Sequence, residues 1–161
     1  MKLSLLCVGR IKANSLRTAC ADYHERLRRY GMCDVIEVRA AHPKNDSAEA
    51  LRRAISEESA ALIAAAGKIG AQDVVFVLDE RGVQCSSAEL AARFSALERN
   101  AVKRAAFVIG GAFGLSDSAR RLGRLWSLSK LTLPHELCRL LLLEQLYRAR
   151  TIQRGEPYHH A

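Results

Sequence analysis

Two apolar runs constrain this chain more than any other feature. Val74-Val75-Phe76-Val77-Leu78 sits inside QDVVFVLD, and Ala105-Ala106-Phe107-Val108-Ile109 follows a helix later. Neither alternates with polar residues, so each predicts a strand covered on both faces. Such strands need helices above and below them, and the rest of the chain supplies them. Residues 2–9 predict a first strand. Asn14 is placed to cap a helix running to Tyr30, with Leu16, Cys20, Tyr23, Leu27 and Tyr30 on one face and Gly31 as its stop. The segment CDVIEVRA alternates and predicts a strand with one wetter face. Asp46 and Glu49 fit a capping box for an Ala-rich helix ending at Gly67, and Ser86 and Glu89 fit a second box. Glu80-Arg81-Gly82 predicts a turn after the first apolar run. Pro134 suits the first position of a last helix that reaches about Arg154. Strands and helices thus alternate without a break. The fold class expected is α/β, a mostly parallel sheet with helices on both faces, in one domain spanning residues 1–161.

Length and composition agree with a globular domain: 161 residues, 49% hydrophobic and 26% charged. No apolar run approaches the ~20 residues of a membrane helix, so no membrane partner is expected. The five cysteines are an odd number without a CxxC spacing. They predict free thiols in a reducing, cytoplasmic setting, not disulfides or zinc. The net charge of +8 is uneven, with ten Lys/Arg against four Asp/Glu in residues 103–161. A basic C-terminal third points to a polyanion, most simply nucleic acid. Between residues 137 and 143 the last helix is apolar almost all round. So small a domain has little to cover it, which predicts a subunit interface.

The second apolar run ends on Gly110-Gly111-Ala112-Phe113-Gly114. This is not G-x-G-x-x-G, and no Gly-Lys-Ser/Thr follows, so neither a dinucleotide site nor a P-loop is supported. Taken alone, the glycines fit a structural turn as well as a ligand site. Further on, Trp126-Ser127-Leu128-Ser129-Lys130-Leu131-Thr132-Leu133-Pro134-His135 is poor in charge. Its backbone N–H and C=O groups must find partners where regular structure ends. Two such loops after strands of one sheet would line one crevice, the usual ligand position in an open α/β sheet. The five histidines lack a metal-ligand spacing, so no metal is expected. The tail places Tyr158-His159-His160 after Arg148, Arg150 and Arg154. That composition suits a frayed basic end and an RNA-binding end equally.

The segments VIGGAFGLS, WSLSKLTLPH, LLEQLYRA and RGEPYHH, in this order, resemble the RlmH (YbeA-type) family of the SPOUT superfamily. The opening KLSLLCVGR and the turn VLDERG also match, so the resemblance covers the whole chain. It implies a homodimer with a C-terminal trefoil knot. It further implies a methyltransferase that uses S-adenosylmethionine to modify N3 of a pseudouridine in 23S rRNA of the large subunit, on the assembled ribosome. On the same grounds the methyl donor is expected at Leu78, Gly111, Ser129, Lys130, Leu131, Thr132, Leu133 and Pro134. Tyr158 and His159 are expected to hold the base, Arg148 to position it, and Glu144 to stand as a further catalytic candidate or as a structural partner of Arg148. Two positions depart from the family's pattern. Ala112-Phe113 replace the middle pair of its frequent GGPEG, and His160 stands where a permanent cation is common. The competing readings are a SPOUT methyltransferase acting on tRNA and a non-catalytic RNA- or nucleotide-binding module.

Overall fold

The computed structural model describes residues 1–159; His160, singled out above, lies outside them. Five strands form one sheet in the order β2-β1-β4-β3-β5, all parallel. They are β1 (Lys2–Val8), β2 (Cys33–Val38), β3 (Asp73–Val83), β4 (Arg104–Ile109) and β5 (Arg124–Trp126). Between and after them run α1 (Asn14–Arg28), α2 (Ala48–Ala66), α3 (Ser87–Arg99), α4 (Asp117–Arg120) and α5 (His135–Arg154).

The two unbroken apolar runs form strands inside the sheet, and their residues divide between two cores. Phe76, Ala105, Phe107 and Ile109 face one core with Leu3, Leu5 and Cys7, against α1, α3 and α5. Val75, Val77, Ala106 and Val108 face the other with Leu6 and Val8, against α2 and α4. Successive side chains of a strand point to opposite faces, so a strand covered twice has no place for a polar residue. The aromatic centre of the first core is Phe107, stacked on Phe76 at 5.3 Å between ring centroids and tilted against Phe94 and Trp126.

Several expected boundaries shift. The cap of α1 is Ala13, with no side-chain bond, and Asn14 instead accepts a hydrogen bond from Arg17. Ser47, not Asp46, caps α2 by accepting from the Ala50 amide at 3.2 Å, while Glu49 pairs with Arg53. The Ser86–Glu89 capping box is present as expected. Pro134 is the N-cap of α5 with ψ 140°, one position before the place expected for it. The turn expected at residues 80–82 is instead an irregular continuation of β3, in which Leu78 and Val83 both pair with Trp126. Gly82 is required there: a Cβ would overlap the backbone of Leu125 and Trp126, which runs directly against it.

α5 has less uncovered apolar surface than its sequence suggests. Leu142, Leu143 and Leu146 are in the first core, and Arg139 breaks the apolar run as a buried cation paired with the more exposed Glu37 at 2.5 Å. Leu137 and Leu141 remain half-buried and stand outside both cores.

Candidate functional site

The carboxyl ends of β3, β4 and β5 open into one cleft of about 600 Å³. Its floor comes from Leu78, Ile109 and Trp126. One wall is the turn at residues 110–115, the other the loop at residues 127–134, and His135 and Cys138 of α5 close the end. Of the expected donor-binding residues, Leu78, Gly111, Ser129, Leu131, Thr132, Leu133 and Pro134 line this cleft. Lys130 is on the same loop but is exposed and does not line it.

The loop's backbone is only partly committed. The Ser127 amide donates to Val83 O at 3.2 Å, the Ser127 hydroxyl to Ser129 O at 2.8 Å, and the Leu131 amide to Ser129 Oγ at 2.9 Å. The Cys138 thiol donates weakly to Leu133 O at 3.6 Å. The amides and carbonyls of Leu128 and Thr132 have no partner among the described residues. Backbone groups left open beside an apolar floor are what a heteroaromatic ligand edge needs. The cleft volume also lies in the ordinary range for small-ligand sites. On both counts the residues fit S-adenosylmethionine.

At the mouth stands a charge arrangement that sequence reasoning missed. The Asp79 carboxylate accepts from Arg81 Nε at 2.9 Å and from Arg120 Nε at 2.7 Å. The Arg81 hydrogen bond first, then that of Arg120, holds this carboxyl well below the usual carboxylate range. Asp79 and Arg81 lie two apart and were visible in the sequence; Arg120 comes from α4 and was not.

The expected catalytic residues also meet, but elsewhere. Glu144 accepts from Arg148 Nη2 at 2.6 Å and from the Tyr158 hydroxyl at 3.2 Å. Arg148 Nη1 stands 3.5 Å from His159 Nδ1, and its guanidinium lies over the Tyr158 ring at 4.8 Å. Tyr158 meets Tyr147 edge-on at 4.7 Å and shares a 3.1 Å hydroxyl contact with Tyr23. The tail therefore folds back along α5. None of these four residues lines the cleft. Glu144 is nine residues beyond His135, roughly 13 Å along the helix axis at 1.5 Å per residue. Among the described residues, no group of three or more His, Cys, Asp or Glu is placed to hold a metal. Nor, among the described residues, is any helix long and apolar enough to cross a membrane.

A family model described as "Predicted SPOUT methyltransferase" matches residues 1–159. The chain belongs to the SPOUT methyltransferase family. Two relatives named "Ribosomal RNA large subunit methyltransferase H" place it further. The protein of Syntrophotalea carbinolica is 42% identical over 99% of both chains, and that of Geobacter metallireducens is 41% identical over the full length of both. Solved structures agree on the fold. A probable methylase family protein from Haemophilus influenzae superposes with a TM-score of 0.53 at 14% identity, covering 99% of this chain and 70% of the other. A probable methyltransferase from Bordetella pertussis gives 0.52 at 16% identity, covering 92% of each.

Proposed function

We propose that this SPOUT methyltransferase transfers a methyl group from S-adenosylmethionine to N3 of a pseudouridine in 23S rRNA, on the assembled ribosome in the cytoplasm. The observation that carries the reading is the cleft at the ends of β3, β4 and β5, with open backbone groups at Leu128 and Thr132. The names of the relatives and the basic C-terminal third support an rRNA substrate. S-adenosylmethionine, when bound, supplies an electrophilic methyl on a sulfonium. The chain's task is then placement and proton control. Backbone at Leu128 and Thr132 reads the donor's heterocycle, Leu78 and Trp126 form its apolar floor, and Leu133 helps exclude water. Tyr158 and His159 hold the base, and the Arg148 cation favours the ring that has lost its N3 proton. Glu144 fixes Arg148 and Tyr158 in place through the bonds described above.

The separation of this cluster from the cleft supports a two-subunit site. Leu137, Leu141, Glu144 and Arg148 repeat at four, three and four, so they share one face of α5. A homodimer formed on Leu137 and Leu141 would bring one protomer's tail beside its partner's cleft. The trefoil knot belongs to the same reading, supported by the close passage of Leu125–Trp126 against Gly82. Mass spectrometry of 23S rRNA from cells lacking the protein tests the function. The expected result is a missing methyl on one pseudouridine, restored by purified protein with S-adenosylmethionine. Unchanged rRNA would overturn it.

A further inference from the structure

A second cleft, of about 650 Å³, lies at the carboxyl ends of β1 and β2. It shares Gly111, Ala112, Phe113 and His135 with the donor cleft, so one thin wall separates them. Its lining is unlike that of its neighbour. Arg10, Lys12, Arg39 and His42 stand around it, with Glu37, Glu58 and Glu136 as the acids. Glu37 takes the buried Arg139, and Glu136 accepts the Lys12 backbone amide at 3.2 Å. Glu58 is buried and engaged through one oxygen, bonded to the Ala41 amide at 2.9 Å, while its Oε2 is buried without a partner among the described residues. The cations are less engaged. Arg10 makes one loose contact to Glu37 at 3.8 Å with its side chain 92% exposed. Lys12 and Arg39 have no ion-pair partner among the described residues.

Phe113 lies on the shared wall. It is an aromatic ring left 41% exposed at the tip of a glycine turn, where burial is the usual fate of so apolar a group. The turn is not loosely placed. Glu58 binds the Ala41 backbone on one side and abuts Gly111 on the other, so it braces the two loops that form the cleft's walls. An exposed ring on a braced loop beside unpaired cations is the combination that single-stranded nucleic acid binds: a stacking platform with phosphate contacts around it.

We infer that the second cleft holds the single-stranded RNA flanking the modified base, with one base stacked on Phe113 and phosphates on Arg10, Lys12 and Arg39. This rests on the rRNA reading above and extends it to residues outside the donor site and the tail. The ring accepts any base, so the cleft orients the strand and leaves sequence choice to other contacts.

The test is binding of a fluorescein-labelled single-stranded RNA decamer to the full-length protein, by anisotropy across a salt series. The double variant Lys12→Ala/Arg39→Ala should flatten the slope of log affinity against log salt by about 1.4, since each phosphate contact on a single strand contributes about 0.7. Its affinity for S-adenosylmethionine should stay that of the wild type. Phe113→Ala should weaken RNA binding about ten-fold, and Phe113→Trp should restore it. The new indole, distinct from the buried Trp126, should be quenched as RNA is added. An unchanged salt slope in the double variant overturns the assignment, as does undiminished affinity in Phe113→Ala or no RNA binding by the wild type. The rRNA reading is judged separately by mass spectrometry. A protein that methylates ribosomes normally without Lys12, Arg39 and Phe113 therefore sinks this inference alone.

Discussion

Gly111 and Glu58 occupy what would otherwise be one space. A Cβ on Gly111 would overlap Glu58 Oε2 and lie 3.0 Å from Glu58 Cδ. The need for glycine here is therefore one of room, set by a carboxyl on α2, and not of a left-handed backbone. Sequence reasoning placed Gly111 beside the methyl donor. It does line the cleft at the ends of β3, β4 and β5, but its missing side chain makes way for Glu58 on the other side.

The pair yields a stability prediction. Gly111→Ala should destabilise by about 1–3 kcal/mol through overpacking, and the loss should shrink when Glu58 is also made Ala. Equal losses in both backgrounds, measured by urea denaturation, would show the two positions to be independent. Glu58 also adds a pH dependence. Burial raises its carboxyl above the usual range, against the pull of the Ala41 amide and of His135 and His42. A raised pKa means that the folded state holds the proton more tightly than the unfolded one. Its contribution to stability is then full below the ordinary glutamate range and is lost as pH rises through the folded value. Glu58→Gln should flatten that fall, read as the urea midpoint against pH.

Asp79 is the opposite case. Its depressed pKa gives stability that is present above the ordinary aspartate range and lost as pH falls. Asp79→Ala leaves Arg120 without its 2.7 Å partner at the cleft mouth. We expect a loss of about 2 kcal/mol in chemical denaturation, as for other charged hydrogen bonds. Less stability should then be lost on acidification than in the wild type. A variant as stable as the wild type at neutral pH would mean that the pair contributes only order at the mouth.

On α5, a charge placed among the apolar residues should act differently by position. Leu142, Leu143 and Leu146 are fully covered within the protomer, so Leu143→Glu should unfold the chain. Leu141 is half-buried outside both cores, so Leu141→Glu should leave a folded protein of monomer mass by light scattering. A folded dimer in Leu141→Glu would move the interface away from this face.

The sheet was legible because burial on both faces removes polar residues from a strand, and the runs at residues 74–78 and 105–109 carry that mark. Helix starts were legible only to within a residue. Asp46 and Ser47 can both accept a cap bond, as can Asn14, and sequence does not say which backbone stays extended. Long-range charge pairs were not legible at all. Arg139 and Glu37 meet across 102 positions, and Arg150 and Glu98 across 52. Glu58 looked like one more charge on an Ala-rich helix. The loops of the first cleft were legible in part from glycine and the lack of charge, but the second cleft depends on two loops far apart in sequence. Recognising the family supplied residues, such as those of the tail, whose meeting no periodicity could reveal.

The tail gives the last prediction, and the structure changes its form. Residues 155–159 do not read as a frayed end. Tyr30 donates to Glu156, and Tyr158 is held by Glu144, Tyr23 and the Tyr147 ring. Truncation after Gly155 would therefore remove packing as well as any RNA contact, and a loss of activity would be ambiguous. Point variants separate the two. Tyr158→Phe keeps the ring against Tyr147 at 4.7 Å and deletes the hydroxyl contacts at 3.2 and 3.1 Å. Tyr158→Ala deletes both. If Tyr158 stacks on the base, the alanine variant should lose ~1–3 kcal/mol of substrate contact. Single-turnover methylation of ribosomes should then fall ten-fold or more. The phenylalanine variant should retain most of the rate, because stacking needs the ring and not the hydroxyl. Both should bind S-adenosylmethionine as the wild type does, since Tyr158 does not line the cleft at the ends of β3, β4 and β5 in its own chain. Full methylation by Tyr158→Ala would confine this tyrosine to packing α1 against α5. Donor binding lost in Tyr158→Ala, in a protein that still melts like the wild type, would instead put the tail in the donor site of a partner subunit.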